Sequence, residues 1–234
     1  MLLSAAAINR SIAVTIGAPM SSAVNSFASL STATSPPPPV HFLLIVGVCD
    51  DGFVGGMPEV RRRLVSSIVR VDHAGELSAD RIYVGQLAVL RHNVRVAPVI
   101  EHMWEQEREH LDTMERLLAK HNVRPTIFAP LCSLAGYALG AGTALIGEKG
   151  AMACTIAIEE LIGGHYNDQI KELVDDDLVA NAELLKTLSR LRDEELEHHD
   201  TGVAYQGLEA PFYRTLKGVI QTGCRAAIWV TQRI

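Results

Sequence analysis

Aromatic residues are scarce, 5% of the 234 positions, and the apolar residues recur at helical rather than alternating spacing, so a sheet-built core is not expected. A basic excess is also lacking. The formal net charge of −6 removes the electrostatic footprint of a nucleic-acid-binding protein. The four cysteines, Cys49, Cys132, Cys154 and Cys224, contain no C-x-x-C pair, which excludes a zinc knuckle and a disulfide framework and points to a reducing compartment. Cys154 reads as a small core residue. A dinucleotide fingerprint is missing too, because Gly140-Ala141-Gly142 is followed by Leu145 at the third glycine position and no strand precedes it.

Residues 1–40 hold eleven Ser or Thr, one Arg and no acid, and end in Ser35-Pro36-Pro37-Pro38-Pro39. That composition predicts an organelle transit peptide, although import leaders usually carry more than a lone Arg10. With no secretory h-region, export is the weaker reading. The segment 41–58 reads as a linker or irregular extension, and its apolar run, Phe42 to Val48, is too short to span a bilayer. A leader and linker over 1–58 and one domain over 59–234 follow, the latter long enough, at 48% hydrophobic content for the whole chain, to bury a core.

Four helical stripes organise that domain. The first runs through Val65, Val69, Asp72, Glu76, Ala79, Tyr83, Leu87 and Leu90; the second through Ile100, Met103, Glu107, His110, Met114 and Leu117. A break at 93–97 and a proline start at Pro98 make these two an antiparallel hairpin. The third stripe takes Met152, Ile156, Glu159, Gly163, Tyr166, Ile170 and Leu173, and the fourth Leu184, Leu188, Leu191, Glu195, His198, Gly202 and Tyr205. Asp175-Asp176-Asp177 is expected to form the turn and N-cap between them.

Ionisable residues within apolar stripes need compensation by counter-charge or metal. Here the pattern Glu, then Glu-x-x-His, occurs twice: Glu76 with Glu107 and His110, and Glu159 with Glu195 and His198. Two antiparallel hairpins bring all six to one level of a four-helix core, the ligand scheme of ferritin-like carboxylate bundles. The fold class expected is therefore all-α, a ferritin-like four-helix bundle with additional apolar or amphipathic membrane-associated helices. Four carboxylates balance two divalent cations, and a hard oxygen and imidazole set suits iron or manganese better than zinc. A hydrolytic two-metal site remains open at this point.

The motifs RVDHAGELSADR at 70–81 with Tyr83 and Gln86, MWEQEREHL at 103–111, GAGTALIGEKGAMACTIAIEE at 140–160, HYNDQI at 165–170 and RDEELEHHDTG at 192–202 resemble the demethoxyubiquinone hydroxylase family of coenzyme Q synthesis, over about residues 60–234. The resemblance implies that Glu76, Glu107, His110, Glu159, Glu195 and His198 hold two Fe ions. It implies a monooxygenase that uses O2 to hydroxylate the ring of a polyprenyl demethoxyquinone, with NADH as reductant and the quinone mediating electron transfer. It further implies a peripheral position on the matrix side of the mitochondrial inner membrane, beside a lipid-binding protein partner of the coenzyme Q synthesis complex; a homo-oligomer is allowed.

An iron-oxidising store and a non-enzymatic helical scaffold of a membrane complex are the competing readings. The uncharged stretch from Thr126 to Gly147 favours the hydroxylase over the store, because a long isoprenoid tail needs an apolar route to the metals. It reads as a core or interfacial helix, with a membrane span as the minor alternative, and would be a liability on the surface of a soluble storage cage. The C-terminal helix, with Leu216, Val219, Ile220, Gly223, Ala227 and Val230 on one face and Arg225, Trp229 and Arg233 beside it, fits a lipid surface or a bundle face. Tyr166, two turns beyond Glu159, is a candidate catalytic residue that donates a hydrogen bond at the metal pocket or mediates electron transfer. Asp72 and His73 are expected either to orient a ligand imidazole or to make a helix-surface ion pair. Glu194, Glu197 and His199 are expected to face outward or to lie behind the ligands, with Glu194→Ala of little consequence and Glu195→Ala neutral or stabilising for the metal-free fold.

Overall fold

The fold is taken from a computed structural model that describes residues 57–233. The expectations for the leader, and for all of the linker but Met57 and Pro58, lie outside the described residues. Among those described there are six α-helices and no strand: α1 (Glu59–Leu90), α2 (Ala97–His121), α3 (Ala129–Ala144), α4 (Glu148–Asp177), α5 (Ala182–Ala204) and α6 (Tyr213–Thr231), with a 3-10 turn at Gly207–Glu209.

Helices α1 and α2 form the first hairpin and α4 and α5 the second. Asn93 turns the chain between α1 and α2 by accepting hydrogen bonds at Oδ1 from the backbone N–H groups of Arg95 and Val96, at 3.0 and 3.3 Å, and Pro98 fixes the first turn of α2. Asn122, left-handed at φ 52°, closes α2 while the Val123 N–H returns to Leu118 O at 2.9 Å. The acidic triplet Asp175–Asp177 is not the cap of α5. It forms the last residues of α4, where carboxylates meet the negative end of the helix. Arg61 offsets them, 2.6 Å from Asp176 and 3.0 Å from Asp177, while Asp177 Oδ1 accepts from the N–H groups of Val179 and Ala180. Spacing alone could not reveal a cation 115 residues away.

The stripes of all four bundle helices face inward. One apolar layer, including Val69, Met114, Leu173, Leu188 and Leu191, fills one end of the core, and a second, built on Tyr83, Ile100, Met103 and Met152, fills the other. The buried residue run from Gly150 to Glu159 makes α4 the central helix, covered on all sides. Cys154 is fully buried there, and burial pushes its thiol up to about 12, as befits a core residue.

Helix α3 lies across α1 rather than inside the bundle. At the crossing, a Cβ on Gly140 would stand 1.9 Å from the Ile82 carbonyl oxygen, and one on Gly85 would stand 2.3 Å from that of Tyr137. Backbone meets backbone, so no larger residue fits either position. The membrane-span alternative does not hold: 16 residues rise about 24 Å, short of a hydrocarbon core of about 30 Å, and no helix among the described residues is long and apolar enough to cross. The core placement does not hold either, for Leu131 and Leu134 are 60% and 67% exposed.

Helix α6 packs on α4 through Ile220 and through Gln221, whose amide donates to Ala157 O at 3.2 Å. Its expected face is corrected: Val219, Gly223 and Ala227 are exposed. Apolar residues lie on both sides of this helix, so periodicity did not select the packed one.

Candidate metal centre

The two hairpins deliver Glu76, Glu107, His110, Glu159, Glu195 and His198 to one level between the apolar layers, none more than 3% exposed. The helix phases read from the stripes are the observed ones. Side chains rather than close helix packing bridge α2 to α5. His110 Nδ1 lies 3.1 Å from Glu195 Oε1, 3.6 Å from Glu76 and 3.7 Å from Glu107. His198 Nδ1 lies 3.0 Å from Glu107 and 3.2 Å from Glu195.

These donors divide into two quartets, Glu76, Glu107, His110 and Glu195, and Glu107, Glu159, Glu195 and His198, each with ligand atoms within 4.8 Å of one another. Glu107 and Glu195 belong to both. Each imidazole turns Nδ1 into its quartet. Both oxygens of Glu107 are buried without a hydrogen-bond partner, since the nearby His198 nitrogen is out of line; such orphaned acceptors are what a cation would satisfy. The donor set fits two hard divalent ions sharing two carboxylates.

The electrostatics follow from crowding. Burial, reinforced by Glu195, lifts Glu107 to about 8, and burial with Glu195 and Glu107 pushes Glu159 well above the carboxylate range. Burial opposes the charge on Glu195, yet hydrogen bonds with His110 and His198 outweigh it and hold Glu195 near 2. Burial likewise works against charge on the imidazoles, but the contacts to Glu195 and Glu76 raise His110 to about 12, and those to Glu107 and Glu195 raise His198 to about 9. Without cations, protons hold this cluster together.

Two tyrosines brace the outer acids. Tyr166 donates to Glu76 Oε1 and Tyr83 to Glu159 Oε1, the latter at 3.0 Å. Burial, with the neighbouring carboxylates, raises both phenols well above their usual value, so each remains a donor. Tyr166 thus makes the expected hydrogen bond. The stripes alone give Tyr83 no role, yet it stands seven residues after Glu76 as Tyr166 stands seven after Glu159, and that shared interval is the sequence signal for it.

The imidazole partners differ from those expected. His110 Nε2 meets Glu194 Oε2 at 2.7 Å and His198 Nε2 meets Gln106 Oε1 at 3.1 Å. Asp72 and His73 touch neither ring. Asp72 accepts from Gln169 at 2.6 Å, His73 Nδ1 has no partner, and both residues are buried rather than paired on the surface. A residue one full turn before Glu76 lies in the next layer, whereas Gln106 and Glu194, just before Glu107 and Glu195, flank the cluster and meet the opposite hairpin. Glu197 is exposed and His199 pairs with Asp200.

A family model described as ubiquinone biosynthesis protein COQ7 matches residues 63–231. The chain is 63% identical over 174 residues to the NADPH-dependent 3-demethoxyubiquinone 3-hydroxylase, mitochondrial, of Caenorhabditis elegans, covering 74% of this chain and 92% of that one. It is 50% identical over 178 residues to the protein of the same name in Homo sapiens, covering 76% and 82%. Against the 3-demethoxyubiquinol 3-hydroxylase of Rhodospirillum rubrum it is 50% identical over 171 residues, covering 73% and 79%.

Proposed function

Because the chain belongs to the ubiquinone biosynthesis protein COQ7 family, we propose that it is a di-iron monooxygenase that hydroxylates the ring of a polyprenyl demethoxyubiquinone with O2. The observation that carries this reading is the pair of buried quartets sharing Glu107 and Glu195, in a family whose relatives are named demethoxyubiquinone hydroxylases. The domain runs over 59–234 and adopts the ferritin-like arrangement, with 1–58 as leader and linker.

Glu76, Glu107, His110 and Glu195 would hold one ion, and Glu107, Glu159, Glu195 and His198 the other. When bound, the irons activate dioxygen for insertion into the ring. The chain's own residues prepare the place. Tyr83 and Tyr166 fix the carboxylates of Glu159 and Glu76, Tyr166 acting on the reaction through Glu76 as a positioning residue. Apolar layers on both sides exclude water, so an oxidising site is shielded from side reactions.

A polyprenyl substrate needs an apolar approach. The outward side chains of α3, Leu131 and Leu134, and the exposed Phe212, Val219 and Trp229 beside or on α6 offer one. A peripheral position on the matrix face of the mitochondrial inner membrane, next to a lipid-binding partner of the same pathway, suits this surface. Electrons come from a reduced nicotinamide; the nematode and human relatives are named NADPH-dependent where the motif resemblance suggested NADH. Side-by-side oxidation of the two nucleotides measures the preference.

The test is anaerobic iron loading followed by admission of O2 with short-tailed demethoxyquinone and reductant. Two irons per chain and oxygen uptake in step with hydroxylated quinone are expected. Mineral formation without quinone turnover would overturn the hydroxylase reading in favour of an iron store, and neither activity would favour a scaffold.

A further inference from the structure

The two quartets mirror one another in every ligand and in their tyrosine braces, but not behind their imidazoles. His110 Nε2 faces the carboxylate of Glu194 at 2.7 Å, whereas His198 Nε2 faces the carboxamide oxygen of Gln106 at 3.1 Å. Arg190 grips Glu194 through Nη1, 3.0 and 2.7 Å from its two oxygens, and fixes its orientation. In both rings an acceptor on Nε2 holds the proton there and leaves the inward Nδ1 lone pair for a cation. A charged acceptor polarises the N–H more strongly than a neutral one, which makes the ring a more basic ligand.

We propose that Glu194 makes the two metal positions inequivalent: the position built on Glu76 and His110 binds a divalent ion more tightly than the one built on Glu159 and His198. This rests on the reading of the six residues as a two-ion site. Glu194 acts through His110, so it is a positioning residue and not a ligand. Loading is ordered as a consequence, the first ion entering beside His110 and the second beside His198.

Stepwise Co(II) titration of the metal-stripped full chain, read by calorimetry and visible absorption, tests this together with Mössbauer spectra of the 57Fe(II) protein. Two resolved binding steps and two distinct iron environments are expected. Glu194→Gln keeps an acceptor on His110 Nε2 and removes only its charge, so it should weaken the tighter step by about 10-fold, the lower end of the range for changes behind a ligating histidine, bringing the two steps together. Gln106→Glu should strengthen the weaker step and also reduce the difference. Unfolding curves of the stripped variants confirm that each is folded. Two ions bound with both steps unchanged in Glu194→Gln, or both weakened equally, overturns the inference and leaves the di-iron reading standing. Binding of no more than one ion by the unaltered chain overturns both.

Discussion

Replacing either shared carboxylate by glutamine should abolish metal loading, yet the two metal-free proteins should differ in stability. In the metal-free chain Glu195, held near 2, is the anion to which His110 and His198 are both paired. Glu107, lifted to about 8, is neutral at pH 6, and its one close contact, His198 Nδ1 at 3.0 Å, does not meet hydrogen-bond geometry and can be kept by a glutamine oxygen. Glu195→Gln therefore leaves two buried imidazolium groups short of counter-charge. Removing one partner of a buried ion pair costs about 3–5 kcal/mol; because His110 keeps Glu76 and Glu194, a loss near the lower end, about 3 kcal/mol, is expected. In a domain of this size each kcal/mol moves Tm by about 2–4 °C, so the melting point should fall by about 6–12 °C. Glu107→Gln exchanges one neutral group for another of the same shape and should stay within about 1 kcal/mol of the parent. The assay is thermal unfolding at pH 6 after exhaustive chelation, beside iron content after reloading. If metal-free Glu107→Gln melts as low as Glu195→Gln, the assignment of charge within the cluster is wrong. Counting charges leads to the opposite expectation, that Glu195→Ala leaves the metal-free fold as stable or more so, because a count treats four acids alike and only the geometry singles out the one facing both imidazoles; the same melting experiment decides between them.

The metal-free protein should also lose stability as pH rises between about 4.5 and 8: an unfolded glutamate releases its proton near 4.5 and folded Glu107 near 8, so the folded chain holds the extra proton throughout that window. Denaturant midpoints at pH 5, 6.5 and 8 should fall in that order, and Glu107→Gln should flatten the slope. Tyr83→Phe and Tyr166→Phe should each cost about 1 kcal/mol and slow hydroxylation, and the stability losses should add in the double variant, since each phenol serves a different carboxylate; strong non-additivity in melting would show that the braces are coupled. Gly140→Val should cost more than about 3 kcal/mol, because even its Cβ would overlap the Ile82 carbonyl; a parent-like melting curve would mean that α3 does not sit on α1 as described.

The six-residue centre was legible in the sequence because buried acids and imidazoles interrupt an otherwise apolar rhythm, and rhythm is what a one-dimensional string preserves. Glu107, His110, Glu195 and His198 fall on their stripes, and all are buried. What depended on distance between helices was hidden. Tyr83 looked like any core aromatic, Gln106 gave no signal, and the acidic run at Asp175–Asp177 looked like a cap, because its partner Arg61 lies far away in sequence; for Glu194 both an outward position and one behind the ligands were open, and the structure shows the second. The glycines at 85 and 140 carried no warning either. A glycine seam is visible only when two backbones are seen to touch.

The crossed tyrosine bonds bear on how such a fold can be divided. Tyr83 of the first hairpin serves Glu159 of the second, and Tyr166 of the second serves Glu76 of the first. Neither hairpin alone can satisfy its own phenol or its own acid. A half-length chain with this pattern would complete both bonds only by embracing a second copy of itself, as a two-fold symmetric pair in which each subunit serves the other's acid. The present polypeptide encloses that pair in one covalent thread, which frees each half to change separately. Glu194 and Gln106, at matching places behind the two imidazoles, are a point at which the halves differ.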